Sequence, residues 1–377
     1  MTSPLDGFER LTIKIGSALL VDSTTGALRK QWLGSLAGDL ASLKQRGREI
    51  VVVSSGAVAL GRQILNLKRG PLPLDRAQAA ASVGQVALAQ AWREAFSVHN
   101  ITIGQILLTP NITEERRSFI NARATMSTLL ALDAVPVINE NDSVATSEIR
   151  YGDNDRLSAR VASMLGADCL VLLSDVDGLY TGVPGPGSSA RHLPRVKSIT
   201  PRIEAMAGGS TSETARGGMI TKIEAAKIAT QAGTAMIIAK GTGDNPLGAL
   251  EGGARHTFFV ARQSPAAARK RWILGTLEVA GTIHVDAGAA KALLNGKSLL
   301  PIGVTKVSGE FSRGDAVSVK GPDNEEIARG LAGMNHEDAN LAKGKKGAII
   351  TEMFGHMNRT ELVHADNLVL VSASEER

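Results

Sequence analysis

Apolar runs rich in Val, Ile and Leu alternate with Ala- and Leu-rich helical segments up to about residue 262, and this alternation limits the possible folds most. Several runs are apolar at every position, which is typical of parallel strands buried on both faces. Strands that alternate with helices favour a sheet covered by helices on both sides. The predicted fold class is therefore α/β, a three-layer αβα sandwich with a mainly parallel sheet. The predicted strands are Leu11–Ile15, Ile50–Val53, Ile101–Leu108, Val135–Ile138, Cys169–Leu173 and Ala235–Ala239. The predicted helices are Gln31–Gln45, Arg76–Phe96, Ser118–Leu132, Asp155–Leu165 and Met219–Gln231.

The pattern changes near residue 263, where short strand-like runs and turn signals replace the long helices. Such a series predicts a small β-rich, barrel-like domain. We predict a first domain over 1–262, a linker over 263–278, the β-rich domain over 279–360, and a C-terminal strand and tail over 361–377. The predicted elements beyond the linker are strands Thr282–Val285, Gly303–Val307, Ala316–Val319, Ile327–Leu331, Gly347–Thr351 and Leu368–Val371, helix Gly288–Leu294, and a solvated basic loop at 335–347.

Composition narrows the class of protein. A chain of 377 residues is comfortable for two domains. The only cysteine, Cys169, lies in an apolar run, which excludes a disulfide framework and indicates a small core residue. No apolar run approaches the ~18–20 residues of a membrane span, and residues 1–10 lack the pattern of a signal peptide. We therefore expect a cytoplasmic protein with no membrane partner.

The formal net charge of +5 arises before residue 263, and from there to the C-terminus basic and acidic residues are equal in number. A neutral domain lacks the positive field that drives nucleic-acid binding. The charge balance therefore argues against RNA binding by the β-rich domain.

Several common catalytic signatures are missing from the sequence. It has no Gly-x-x-x-x-Gly-Lys-Ser/Thr phosphate loop and no Gly-x-Gly-x-x-Gly fingerprint after the first strand. Cys and His do not occur at metal-ligand spacings. These absences remove several classes of nucleotide-binding and metal-dependent enzyme.

Short acid and amide side chains cluster directly after the predicted strand Val135–Ile138. Asn139-Glu140-Asn141-Asp142 comes first, and Gly152-Asp153-Asn154-Asp155 follows. Ligands in open α/β sheets bind beyond the carboxyl ends of strands, where such groups can hold an ammonium or a metal-bound phosphate. An Asx-rich turn without a ligand is the alternative that the residues alone leave open.

Other predicted strand ends carry groups suited to an anion. Lys14 ends the first strand, and Ser54-Ser55-Gly56-Ala57 joins the second strand to a helix. Gly217-Gly218-Met219-Ile220-Thr221-Lys222 has the composition of a phosphate-binding loop before a helix. The alternatives are an edge lysine, an ordinary serine N-cap and a plain connection before a helix. Taken together, these groups fit phosphoryl transfer, which requires neutralised phosphates and a positioned acceptor.

At these residues the chain resembles the amino acid kinase family. The likeness is carried by Ile13–Ser17, Val53–Ala57, Val135–Asp142, Gly152–Asp155, Ser174–Tyr180 and Gly217–Lys222. The C-terminal part resembles a PUA domain, through Ala280–Ala289, Ser298–Pro301 and Gly309–Asp315.

The resemblance implies ATP-dependent phosphorylation of the γ-carboxylate of L-glutamate. It implies catalytic roles for Lys14, Asp155 and Lys222. Substrate binding is implied for Ser55, Gly56, Asn139, Asp142 and Asn154. Nucleotide binding is implied for Lys14, Ser174, Asp175, Arg216, Gly217, Gly218, Met219, Ile220, Thr221 and Lys222.

The same resemblance implies that Mg²⁺ enters with ATP, with no protein ligand identified. It further implies feedback binding of proline and a homo-oligomer, a dimer or tetramer. Two alternatives remain open: a kinase of another small acid, such as N-acetylglutamate, aspartate or carbamate, and an RNA-binding protein that uses the PUA-like domain.

Overall fold

The computed structural model describes residues 3–68, 70–109, 116–144, 153–207, 213–275, 278–354 and 360–371. The chain divides into two compact units, Met1–Pro265 and Ala266–Arg377. This division lies inside the segment predicted as a linker, where the structure has a helix, Pro265–Gly275. Proline at the first helical position and the alanines after it favour that helix.

The first unit contains an eight-stranded sheet with helices on both faces, which confirms the predicted fold class, and a separate pair of short strands. Its strands are β1 (Arg10–Ile15), β2 (Glu49–Val53), β3 (Ile103–Leu108), β4 (Val135–Glu140), β5 (Cys169–Ser174), β6 (Leu179–Tyr180), β7 (His192–Leu193), β8 (Arg195–Val196), β9 (Ala235–Lys240) and β10 (His256–Phe259). Its helices are α1 (Ser17–Leu20), α2 (Lys30–Gln45), α3 (Ala57–Ile64), α4 (Leu74–Ser97), α5 (Arg116–Ala131), α6 (Asp153–Leu165), α7 (Pro201–Ala207), α8 (Glu213–Gln231), α9 (Pro246–Glu251) and the start of α10 (Pro265–Gly275).

The strand order in the main sheet is β3-β4-β2-β1-β5-β9-β10-β8, and β6 pairs with β7 separately. Every neighbouring pair in the main sheet is parallel except β9 with β10. The order reverses between β1 and β5, so the carboxyl ends of these two strands flank a topological switch point, where such sheets bind ligands.

Alternate residues of the central strands reach opposite faces of the sheet, as strand geometry requires. Ile13 and Ile15 of β1 join a core with α2, α3, α4 and α9. Leu170 and Leu172 of β5 join a second core with α6, α7 and α8. Lys14, between Ile13 and Ile15, therefore projects toward the face covered by α6 and α8. Cys169 is fully buried, as predicted.

The second unit has a five-stranded sheet of order β12-β11-β13-β14-β15, in which only β11 and β13 are parallel neighbours. Its elements are β11 (Val279–Val285), α11 (Ala287–Leu294), β12 (Val304–Gly309), β13 (Ala316–Lys320), β14 (Glu326–Leu331), α12 (His336–Ala342), α13 (Gly347–Phe354) and β15 (Leu368–Leu370), with 3₁₀ turns at Pro301–Gly303 and Ala365–Asn367.

One local prediction for this unit was wrong, and another was wrong in part. The strand expected at Gly347–Thr351 is part of helix α13, which buries Ile350 completely. The loop expected at 335–347 is confirmed only for its basic residues Lys343, Lys345 and Lys346, which lie between α12 and α13. Its first part is helix α12, whose start Asn335 caps by accepting a hydrogen bond from the Asp338 amide at 2.7 Å. No helix in the described part of the chain is long and apolar enough to cross a membrane.

Candidate active site

The carboxyl ends of β1, β2, β4 and β5 meet beside the first turn of α6. Lys14 pairs with Val53 of β2 on one side and with Leu172 of β5 on the other. Asn154 and Asp155 follow the first residue of α6, and their side chains reach two different strand ends. This helix start therefore connects the two groups of predicted site residues.

Asp155 lies between the two lysines that the sequence singled out. Its Oδ1 is 2.5 Å from Nζ of Lys14, and its Oδ2 is 3.2 Å from Nζ of Lys222. The Thr221 hydroxyl donates to the same Oδ2 at 3.1 Å. Only 2% of the Asp155 side chain is exposed, against 9% for Lys14 and 11% for Lys222. One carboxylate thus brings together two ammonium groups from β1 and α8, which are far apart in sequence.

The balance of charges keeps Asp155 ionised. Burial raises the pKa of its carboxyl, but the charges of Lys14 and Lys222 lower it by more, so the net pKa lies below its ordinary value. The cluster has one positive charge in excess, which suits it to an anionic ligand such as a phosphate.

The prediction that Gly217–Lys222 form a phosphate-binding loop before a helix was wrong, because these residues are helical. Gly217 and Gly218 lie inside α8, which begins at Glu213, so Met219 is not at a helix N-terminus. Helix-forming residues on both sides of the two glycines offset the low helix propensity of glycine. Lys222 reaches Asp155 from within this helix, where its Nζ also donates to the Gly218 carbonyl at 3.3 Å.

Four residues predicted to bind substrate lie just after β2, at the end of β4 and at the start of α6. The Asn154 side-chain amide donates to Oγ of Ser55 at 3.0 Å. Gly56 has a φ of 105°, a conformation that glycine adopts readily, and it precedes the first residue of α3. Asn139, at the end of β4, donates to Oε1 of Gln85 on α4 at 2.7 Å.

The side-chain oxygens of Asn139 and Asn154 do not take part in these hydrogen bonds. Oδ1 of Asn139 and Oδ1 of Asn154 are buried and find no hydrogen-bond partner among the residues that the structure describes. Buried polar atoms are normally paired, and an unpaired one in a native site indicates a ligand or an ordered water. Asp142 is also buried, with 9% of its surface exposed.

Ser174 ends β5 and Asp175 follows it, next to the end of β1 that carries Lys14. The Ser174 hydroxyl donates to Oδ1 of Asp175 at 2.9 Å. Met219 and Ile220 pack against the core formed with α6 and α8. The side chains of Asp153 and Arg216 and all of Gly152 lie outside the described residues, so the nucleotide contact of Arg216 stays a prediction.

Sequence reasoning missed two features of this site. It did not identify Gln85, which lies in a helix of ordinary amphipathic pattern and carries no motif. It assigned Thr221 to the nucleotide alone, whereas the structure has this hydroxyl on Asp155. Neither contact could be predicted from local sequence, because each joins residues more than 50 positions apart.

Helices α3 and α4 approach each other through glycines close to this site. A Cβ added to Gly84 would lie 1.8 Å from the Ala57 carbonyl oxygen, and one added to Gly61 would lie 1.7 Å from the Ala80 carbonyl oxygen. Ala57 begins α3 directly after Gly56, and Gln85 directly follows Gly84. The two helices are therefore held in contact at the level of the predicted substrate residues.

Gly84→Ala should lower the free energy of unfolding by about 1–3 kcal/mol, because the new methyl group forces the helices apart. Chemical denaturation measures this loss. Gly34→Ala is the control, since Gly34 lies in α2 with no atom within 4 Å of an added Cβ. That change should stabilise the chain by about 0.5–1 kcal/mol. Equal effects of the two substitutions would contradict the close contact.

In the described ranges, no group of three or more His, Cys, Asp and Glu side chains is arranged to hold a metal ion. Both oxygens of Asp155 are already engaged by cationic or hydroxyl partners. The described residues therefore do not form a protein cage for Mg²⁺.

Comparisons with known proteins identify the family of this chain. The model of the amino acid kinase family matches residues 9–240, and that of the PUA domain matches residues 281–354. Glutamate 5-kinase 1 of Rhizobium meliloti (strain 1021) is 58% identical over 373 residues, which cover 99% of this chain and 95% of the relative. Glutamate 5-kinase of Rhodopseudomonas palustris (strain BisA53) is 55% identical, with 98% of each chain covered.

Among solved structures, the chain is similar to carbamate kinase from Giardia lamblia bound to AMP-PNP. It is 18% identical, with a TM-score of 0.47 over 67% of this chain and 99% of that one. UMP kinase from Bacillus anthracis is 13% identical, with a TM-score of 0.45 over 68% and 98% of the two chains. On the family model and the full-length relatives, this chain belongs to the amino acid kinase family.

Proposed function

We infer that this chain catalyses the ATP-dependent phosphorylation of the γ-carboxylate of L-glutamate, which yields L-glutamyl 5-phosphate and ADP and is the first step of proline biosynthesis. The observation that carries this inference is the buried Lys14–Asp155–Lys222 cluster, one residue along α6 from the Asn154–Ser55 pair. Full-length relatives named glutamate 5-kinase support the same reaction.

The cluster suits the phosphoryl-transfer step. An oxygen of the γ-carboxylate attacks the γ-phosphorus of ATP, and the bond from that phosphorus to the bridging oxygen of ADP breaks. Charge on the transferred group is offset by Lys14 and Lys222, while Asp155 holds their ammonium groups in place. The nucleotide contacts are assigned to Ser174, Asp175 and the described residues Gly218–Lys222.

The acceptor amino acid is assigned to Ser55, Gly56, Asn139, Asp142 and Asn154. The carboxylate of Asp142 suits the α-ammonium group of a free amino acid. An N-acetylated acid has no such cation, so Asp142 favours L-glutamate over N-acetylglutamate as the acceptor.

Magnesium is expected to enter bound to the ATP phosphates, where it neutralises charge on the transferred group. We assign no step to it, in keeping with the absence of a carboxylate cage in the described residues.

Feedback binding of proline and assembly into a dimer or tetramer belong to the same proposal. Both come from the family resemblance. A cytoplasmic location is part of it too, because the reaction consumes ATP and a free amino acid.

The substrate assignment predicts a selective defect in Asp142→Asn. The variant should raise the KM for glutamate by about 30-fold or more, from a loss of 2–5 kcal/mol of charged hydrogen bonding. The KM for ATP should change little, because the nucleotide is bound elsewhere. ADP release, with hydroxylamine to trap the acyl phosphate, measures both constants.

A panel of acidic amino acids tests the reaction itself. Wild-type protein should release ADP with L-glutamate and show little activity with N-acetylglutamate, aspartate or carbamate. Preferred use of an N-acylated acid, or an equal rise of both KM values in Asp142→Asn, would contradict the assignment.

A further inference from the structure

The side-chain amide of Asn139 can adopt two orientations, and a hydrogen bond to Gln85 selects one of them. Only 3% of the residue is exposed, and its Nδ2 donates to Oε1 of Gln85 at 2.7 Å. The oxygen at the other corner of the same planar amide has no partner in the described part of the chain. The hydrogen bond to Gln85 therefore decides which atom of Asn139 is left without a hydrogen-bond partner.

Asn154 repeats the arrangement on α6. Its nitrogen donates to Ser55 at 3.0 Å, and its Oδ1 is likewise buried without a partner among described residues. In both amides the nitrogen thus donates to the protein, and the oxygen has no partner in the described part of the chain. Two spare acceptors match a ligand that carries N–H donors, and an ammonium group offers three. A reversed Asn139 amide would instead present its own N–H groups toward that cation.

We propose that Gln85 is a positioning residue of the amino-acid site, which holds the Asn139 amide with its oxygen available to the substrate ammonium. This proposal rests on the proposed function, because it takes a free amino acid as the acceptor. Gln85 contacts Asn139 and acts through it.

The setting of Gln85 suits a positioning role. It directly follows Gly84, where α4 touches the backbone of Ala57 at the start of α3. It also lines a cavity of about 300 Å³ together with Asp142. The glutamine is thus carried by a helix that is fixed against the loop containing Ser55 and Gly56, rather than by a mobile surface element.

Substitutions at position 85 separate hydrogen bonding from size. Gln85→Met keeps the length and removes the acceptor, so it should raise the KM for glutamate by about ten- to hundredfold. Gln85→Glu keeps an acceptor for Nδ2 of Asn139 and should leave that KM within about threefold of wild type. The KM for ATP and kcat should stay near wild type in both variants. Gln85→Met should also lower the melting temperature, because it leaves the buried Asn139 nitrogen without its acceptor.

A double variant at positions 85 and 139 tests whether the KM for glutamate can be rescued. Gln85→Lys offers only donors, which should turn the Asn139 amide around and raise the KM for glutamate. Adding Asn139→Asp to that variant should restore the KM, because a carboxylate presents oxygen at both corners. Gln90→Met is the matched control: Gln90 lies on the same helix and donates to Glu94 at 2.6 Å.

The measurements are steady-state KM values from hydroxamate formation and ADP release. An unchanged glutamate KM in Gln85→Met, an equal rise in Gln85→Glu, or a parallel rise in the ATP KM would overturn the positioning role alone. If wild-type protein formed no hydroxamate from glutamate, the proposed function would fall and this proposal with it.

Discussion

Replacing either lysine of the cluster with methionine should lower kcat by about 10²–10³-fold, which is the typical cost of one preorganised group that stabilises transition-state charge. Lys14 and Lys222 contact different oxygens of Asp155, so each approaches from its own side and neither can replace the other. Methionine keeps most of the side-chain length and removes the charge. The loss should appear mainly in kcat, because charge on the phosphoryl group is redistributed as it is transferred.

Lys227→Met is the matched control for Lys222→Met. Lys227 lies on the same helix, is partly exposed, and pairs with Glu204 of α7 at 2.7 Å, away from Asp155. Its replacement should leave kcat within about twofold, since such pairs near the surface contribute little. Near-normal turnover in Lys14→Met or Lys222→Met would contradict the role of the cluster.

Asp155→Asn should lower the free energy of unfolding by about 3–5 kcal/mol, because it leaves two buried ammonium groups without their counter-ion. The ATP-free protein is the right sample, since bound phosphates would replace part of the lost charge. Turnover should fall as well, because the lysines lose the group that holds them. Chemical denaturation and steady-state assays measure the two effects.

A double variant distinguishes the charge effect from damage to packing. Asp155→Asn with Lys222→Met returns the cluster to one excess positive charge, so it should regain part of the lost stability but no activity. If stability did not recover, loss of charge compensation would not explain the defect.

The pH dependence of stability follows from the lowered pKa of Asp155. The unfolded carboxyl titrates near its ordinary value of 3.8, and the folded one titrates lower. The stabilising contribution is therefore complete above pH 3.8 and is lost as the pH falls through the lower, folded value. The gap in stability between wild type and Asp155→Asn should shrink over that acidic range.

Sequence reasoning was strongest where one physical rule governs a long segment. Continuous apolar runs indicated the buried parallel strands, and β1, β2, β4, β5 and β9 lie within one or two residues of the predicted bounds. The strand-end rule then placed Lys14 and the Asn139–Asp142 cluster at one edge of the sheet.

The failures came from segments where local preference and tertiary contacts disagree. The β-branched pair Ile349–Ile350 favours a strand, yet burial of Ile350 selects helix α13. Gly217 and Gly218 favour a loop, yet α8 continues through them. Gln85 could not be found because its partner Asn139 lies 54 positions away and no periodicity links them.

The central claim is that Lys14 and Lys222 together bind the transferred phosphoryl group beside the amino acid. A crystal structure with ADP, Mg²⁺, L-glutamate and aluminium fluoride as a mimic of that group tests this most directly. Both Nζ atoms should lie about 3 Å from fluoride or phosphate oxygen, within charge-assisted hydrogen-bond range. A phosphoryl mimic bound away from both lysines, with their contacts to Asp155 unchanged, would contradict the account.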